Sequence, residues 1–124
     1  VIDEFADLMD VLGKRERDEF EQQVNRMAQR TRNVGIHLVI ATQRPDVKVV
    51  TGRLKSNLNC RISFALPSAV DSKTILDFGG AERLLGKGDM LLKHEDKLTR
   101  LQGYYVSSAE LDEVLAGSRD WADA

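Results

Sequence analysis

Ile36-His37-Leu38-Val39-Ile40-Ala41-Thr42 is apolar almost without a break and rich in branched side chains. A strand with one wet face alternates polar and apolar residues. A continuous run suits a strand buried on both faces, which means a parallel sheet covered by helices. Gln43-Arg44-Pro45 ends the run, because Pro45 brings no amide hydrogen to a ladder. His37 reads as structural, since no second metal-type residue lies near it in sequence. Before the run, Lys14 to Val34 has helical spacing. Phe20, Val24, Met27, Ala28 and Thr31 form one stripe, and Glu19, Arg26, Arg30 and Arg32 form the solvated face. Gly35 then supplies a left-handed cap.

The elements that follow keep the alternation. Thr51 to Leu58 predicts a short helix with a basic side, and Cys60 to Leu66 a strand stopped by Pro67. Cys60 reads as a small buried hydrophobe. The loop from Pro67 to Lys73 leads into a helix around Thr74 to Phe78, closed by Gly79-Gly80. Ala81 to Leu85 is a further helical turn, and Gly86-Lys87-Gly88-Asp89 a tight turn. Met90 to Leu92 and Leu98 to Val106 make a hairpin around the polar tip Lys93 to Lys97. Ser107 to Glu110 is a capping box that opens a last helix with Leu111, Val114 and Leu115 on its apolar side. Arg119 to Ala124 reads as a frayed end on which Trp121 docks. Strand, helix, strand, helix, strand is the order of an α/β fold with right-handed crossovers.

Composition limits the functions open to this fold. The 124 residues suffice for one domain with a core, and 42% hydrophobic with 31% charged residues is a globular balance. A formal net charge of -2 leaves nucleic-acid contacts to local basic loops. One cysteine, Cys60, rules out an internal disulfide framework. No apolar run is long enough to span a membrane.

Chemistry is expected where ligands bind in parallel sheets, beyond the carboxyl ends of the strands. Val1-Ile2 reads as the end of another strand that delivers Asp3-Glu4 at its tip. A buried strand has about five or six residues, so the natural chain is expected to continue upstream. Acidic residues after a strand also serve as ordinary helix caps. Asp3-Glu4, Gln43-Arg44 and the Pro67–Lys73 loop are expected on one sheet edge, which favours chemistry over capping. There a carboxylate can hold a hard cation, often through water, and a second can orient an attacking water.

A nucleotide site of this kind needs a phosphate-binding loop, G-x-x-x-x-G-K-[ST]. Gly80 to Lys87 imitates one and fails: five residues separate Gly80 from Gly86, and Gly88 stands where Ser or Thr must follow the lysine. The phosphate loop is therefore expected upstream, and this fragment alone is expected to be inactive.

Several ordered motifs carry a resemblance. They are Asp3 to Leu8, Gly35 to Pro45, Thr51 to Asn57, Asp71 to Asp77, and Gly79 to Glu82 continuing through Leu85 to Leu91. With these the chain resembles the FtsK/SpoIIIE family of bacterial DNA translocases over nearly its whole length. The resemblance implies that residues 1–124 are the C-terminal part of a RecA-like P-loop ATPase motor domain. That part would start at the Walker B strand, lack the Walker A half, and have a mostly parallel sheet flanked by helices, with a C-terminal β-hairpin and helix. It implies ATP and Mg2+ as cofactors and double-stranded DNA as partner. It implies a hexameric ring in a membrane-anchored protein at the cytoplasmic face of the bacterial inner membrane, acting in chromosome partition and cell division. No direct membrane contact is expected of this fragment.

By the same resemblance Asp3 is the magnesium acid, Glu4 the catalytic base and Gln43 the sensor of the terminal phosphate. Arg44 and the Asp71-Ser72-Lys73 stretch would face the ring channel. A motor that tracks any sequence grips phosphates rather than bases. The family usually has Arg at the place of Lys73, and lysine lacks the two-pronged grip. Arg53 and Arg61 are candidates for an inter-subunit arginine, with a structural role for Arg61 as the competing view. Two alternatives stand beside this one. One is a ring ATPase of a secretion or conjugation system moving protein or single-stranded DNA. The other is a non-catalytic interaction domain, against which Asp3, Glu4 and Gln43 argue.

Overall fold

The computed structural model describes residues 1–30 and 35–119. In chain order the elements are α1 (Phe5–Val11), α2 (Lys14–Arg30), α3 (Gly52–Asn57), β1 (Cys60–Ser63), α4 (Ala69–Leu76), a 3-10 turn (Ala81–Arg83), β2 (Asp89–His94), β3 (Lys97–Gln102) and α5 (Ser108–Arg119). The expectations for Thr31 to Val34 and for Trp121 lie outside the described residues.

Two apolar clusters organise the chain. The first joins Phe5, Ala6 and Met9 of α1 to Val24 of α2, Val49, and Leu54 of α3. Phe5, Ala6 and Met9 share one face of α1 because they stand one and four residues apart. The Phe5 and Phe20 rings meet at 6.2 Å between centroids, tilted by 34°. The second cluster is Leu76, Ala81 and Leu91, flanked by Leu66, Ile75 and Leu84.

α2 is rotated from the expected stripe. Its buried residues are Glu21, Val24, Asn25 and Ala28, while Met27 is exposed. The cause is polar: α3 docks through side-chain hydrogen bonds. Thr51, the N-cap of α3, donates its hydroxyl to Glu21. Asn57 Nδ2 donates to Asn25 Oδ1 at 3.2 Å, and Gln29 Nε2 donates to Asn57 Oδ1 at 3.0 Å. Glu21, Asn25 and Gln29 are four residues apart, so they line one helix face.

The sheet differs most from expectation. Among the described residues its three strands lie in the order β1-β2-β3 and both pairings are antiparallel. The strand at Cys60–Ser63, expected inside a parallel sheet, instead runs antiparallel to β2, with Ile62 opposite Leu92. Cys60, expected to be buried, is exposed on this strand. The run 36–42 forms no extended ladder; its parallel pairing is a single bridge, Ile2 to Ile40. The β2–β3 hairpin is present, with His94 opposite Lys97 across a two-residue turn in which Glu95 has φ 54°.

α4 starts earlier than expected. Ser68 caps it by accepting from the Asp71 amide at 3.1 Å, so Asp71, Ser72 and Lys73 are helical rather than loop residues. Ser72 is fully buried. Its hydroxyl donates to the Phe78 carbonyl at 2.8 Å and accepts from the Ala81 amide at 3.1 Å. The helix ends at Asp77, in the left-handed conformation with φ 65°, and not at the glycine pair. The Asp77 carboxylate gathers Lys55 of α3 at 2.7 Å, Arg61 of β1 at 2.8 Å and Lys93 of β2 at 2.8 Å. Arg61 also donates to the Ile75 carbonyl at 3.0 Å. Through Lys55, this carboxylate ties the first cluster's α3 to the elements around the second.

The turn before β2 has a strict steric demand. Gly88 has φ 89°, and a Cβ there would lie 2.9 Å from the Gly103 carbonyl oxygen. Gly103 N donates to the Gly88 carbonyl at 2.8 Å, which holds the two backbones together. Gly88→Ala is expected to cost about 2 kcal/mol or more from strain and overlap, read as a lower thermal midpoint. Gly86→Ala, with open space at its Cβ, is expected to cost less, because only the φ penalty remains. The Ser107–Glu110 capping box forms reciprocally: Ser107 N donates to Glu110 Oε2 at 2.8 Å, and Glu110 N to Ser107 Oγ at 3.3 Å. Leu111, Val114 and Leu115 of α5 are each at least half exposed.

Candidate active site at the tips of two parallel segments

The first segment of the chain and the 36–42 run lie side by side. Ile2 N donates to the Val39 carbonyl at 2.8 Å, and Ala41 N donates to the Ile2 carbonyl at 2.8 Å. Phe5 N continues the contact to the Ala41 carbonyl at 2.9 Å. The segments are parallel, so both tips emerge on one side. Asp3 and Glu4 therefore stand beside Thr42, Gln43 and Arg44.

Glu4 is the centre of this cluster and also the N-cap of α1. Its Oε1 accepts from the Ala6 amide at 3.1 Å and from the Thr42 hydroxyl at 2.5 Å. Its Oε2 accepts from the Gln43 amide at 2.9 Å. The Thr42 hydrogen bond is the main cause that holds the Glu4 carboxyl below its usual range, with the Gln43 amide next. A carboxylate stabilised in this way stays ionised and orients a water by accepting from it. The helix-capping alternative raised by the sequence is thus real, and it coexists with the cluster.

Asp3 and Gln43 are exposed at the same rim. Arg44 turns back toward α1, with its guanidinium 3.0 Å from Asp7 Oδ1 and 2.7 Å from Asp10 Oδ2. It remains half exposed. The other expected residues lie elsewhere. Lys73 is exposed on α4, beside the second cluster. Arg53 projects from the start of α3, 4.0 Å from Glu21. The Arg61 side chain is only 13% exposed and lies on Asp77, which ties it to the scaffold. The expected convergence thus joins Asp3-Glu4 to Gln43-Arg44, while Lys73 belongs to a helix packed on the second cluster.

Thr42, Asp7 and Asp10 are the participants that sequence reasoning missed. A threonine closing an apolar run looks like one more β-branched strand residue. Asp7 in the first turn of α1 looks like a dipole partner, and Asp10 near the end of that helix looks like an ordinary solvated carboxylate. Only the bridge at Ile40 brings them to Glu4 and Arg44.

The donor set suits magnesium in one manner only. Among the described residues no three His, Cys, Asp or Glu side chains gather as a metal cage. Magnesium commonly binds through one or two carboxylates, with waters and substrate phosphates completing its shell. A lone exposed Asp3 at a strand tip fits that arrangement.

Residues 1–47 match the family model described as FtsK/SpoIIIE family, and the chain belongs to that family. It is 51% identical over 117 residues to DNA translocase FtsK of Listeria monocytogenes, covering 93% of this chain and 15% of the relative. To DNA translocase FtsK of Haemophilus influenzae it is 50% identical over 123 residues, covering 98% and 22%. To DNA translocase SftA of Bacillus subtilis it is 50% identical over 121 residues, covering 96% and 12%. The chain thus spans less than a quarter of the length of these relatives. Among solved structures, the pCW3 conjugation coupling protein TcpA, in monomer form with ATPgS, aligns with a TM-score of 0.77 at 30% identity. That alignment covers 93% of this chain and 35% of TcpA.

Proposed function

We propose that this chain is the later part of a RecA-like motor domain in an ATP-driven translocase of double-stranded DNA, serving chromosome segregation and cell division. The observation that carries the proposal is the parallel alignment at Ile2 and Ile40, which sets Asp3-Glu4 beside Thr42-Gln43-Arg44. In this reading that bridge is part of a larger parallel sheet whose other strands and phosphate loop come from the rest of the motor. The 50–51% identities to named DNA translocases, over nearly the whole of this chain, support the cargo.

Each residue has a role in this reading. Asp3 holds magnesium, which when bound offsets charge on the phosphate oxygens of ATP. Glu4 orients the attacking water and accepts its proton. Gln43, exposed beside Glu4, contacts the terminal phosphate. Arg44 and Lys73 meet the DNA backbone. Arg53, which is exposed, is a freer candidate than Arg61 to reach a neighbouring subunit of a hexameric ring, because Asp77 and the Ile75 carbonyl occupy Arg61. The full protein is membrane-anchored with this domain at the cytoplasmic face. Among the described residues no helix is long and apolar enough to cross a membrane.

The test is ATP hydrolysis by the full-length motor with and without duplex DNA. Stimulation by duplex is the expected result; no turnover under either condition would overturn the reading. The likeness to TcpA favours a second reading, a conjugation or secretion motor. Stimulation by single strands or a polypeptide, and not by duplex, would select it. Arg44→Ala is expected to cut duplex stimulation roughly tenfold, the size of a charge-assisted phosphate contact, and to lower basal hydrolysis less. Equal loss of both would move Arg44 to the nucleotide site.

A further inference from the structure

The hydrogen bonds around Glu4 close into a ring. Glu4 caps α1 through the Ala6 amide. α1 carries Asp7 and Asp10, which hold the Arg44 guanidinium. The Arg44 amide donates to Thr42 Oγ1 at 3.1 Å, and that same hydroxyl donates to Glu4 at 2.5 Å. Thr42 is therefore bonded both to the carboxylate that handles water and to the backbone of the residue proposed to touch DNA. Three donors already occupy Glu4, so an incoming water has about one of its four lone-pair sites left.

We propose that Thr42 is a positioning residue that restrains Glu4 while Arg44 rests on Asp7 and Asp10, and relaxes that restraint when Arg44 engages a polyanion. This rests on the function proposed above and adds to it the route by which DNA controls hydrolysis. A phosphate backbone competes with Asp7 and Asp10 for the guanidinium. Drawing Arg44 outward moves its amide, and with it the Thr42 hydroxyl, away from Glu4. The carboxylate then has room for the water. Both carboxylates that hold Arg44 are at least half exposed, so the competition takes place at the surface and needs no unfolding.

The experiment uses the full-length motor and measures ATP hydrolysis with and without duplex DNA, together with ATPγS affinity. Thr42→Val keeps the branched shape and deletes the hydroxyl. It is expected to raise DNA-free kcat about tenfold or more, the worth of one hydrogen bond to a charged group. Stimulation by DNA should shrink toward unity, with KM and ATPγS affinity little changed. Thr42→Ser keeps the hydroxyl and is expected to restore both restraint and stimulation. Should Thr42→Val fail to fold, Asp7→Asn combined with Asp10→Asn releases Arg44 without touching the core, and is expected to raise DNA-free turnover by the same route. Wild-type stimulation in whichever of these variants folds would overturn the inference. So would a proportional loss of basal and stimulated turnover in Thr42→Val, which would make Thr42 a plain support for Glu4. An active Glu4→Gln variant would instead overturn the underlying functional reading, so the two failures are distinguishable.

Discussion

Glu4→Gln in the full-length motor is expected to bind ATP and to hydrolyse it at least about a hundredfold more slowly, the usual worth of a positioned general base. The replacement is close to isosteric. Its amide oxygen can still accept from Thr42 and Ala6, so the Thr42 contact and the α1 cap largely persist. Its amide nitrogen, however, would face the Gln43 amide, which now donates to Glu4 Oε2. Donor against donor opens that side of the cluster, and a neutral amide takes no proton from water. Nucleotide binding by ATPγS titration and hydrolysis in a single turnover separate the two effects. Undiminished turnover would show that Glu4 does not activate the water, and the role of the whole rim would have to be reassigned. A circular-dichroism melt checks the cap, whose partial loss costs about 1 kcal/mol at most.

Asp77→Ala is expected to produce the largest loss of stability. It leaves Lys55, Arg61 and Lys93 without their shared counter-charge, and the side chains of Arg61 and Lys93 are only 13% and 9% exposed. Stripping one partner from a fully buried pair costs about 3–5 kcal/mol. Asp77 itself is 41% exposed, and solvent screening reduces the figure to about 2–3 kcal/mol. Lys93 keeps one other favourable contact, over the Phe78 ring at 5.6 Å. Acid should reveal the same cluster. Burial opposes ionisation of Asp77, but hydrogen bonds from Lys55, Lys93 and Arg61 outweigh it and hold the carboxyl far below the usual range. A depressed folded-state value means that the stabilisation is fully present above the unfolded carboxyl's titration and drains away as pH falls below it. Asp89, held at about 2 chiefly by Arg100, adds a second carboxylate with the same sign. Thermal midpoints of the wild type should therefore fall more steeply below about pH 4 than those of Asp77→Asn. Parallel curves would show that the cluster is not a source of stability.

Much of the site could be read from residue order alone. An apolar segment delivering Asp3-Glu4, and another delivering Gln43-Arg44, are strings of residue types whose adjacency follows once the segments are parallel. The turns were legible too, because Gly86, Gly88 and the Ser107–Glu110 box act within a few residues of themselves. What escaped the sequence acts over longer separations. The β1 strand looked like a parallel strand by composition, yet its pairing is decided by β2, nearly thirty residues later. The α2 face was misjudged because Glu21 and Asn25 are buried by partners on α3, and an apolar pattern has no sign for a polar interface. Asp77 is a polar residue after a helix until three cations from separate elements reach it.

The sequence by itself determined the local chemistry: which segments are apolar, where helices are capped, where only glycine fits the turn, and which residue types stand at the tips. These follow from backbone sterics and short-range hydrogen bonds, which a few neighbouring residues settle. Tertiary structure alone decided which tips meet and what holds them. The bond from Thr42 to Glu4, the seating of Arg44 on Asp7 and Asp10, and the three cations on Asp77 each join groups far apart in the chain. Such contacts exist only after the chain has closed the long loops between them, and no local pattern encodes their geometry.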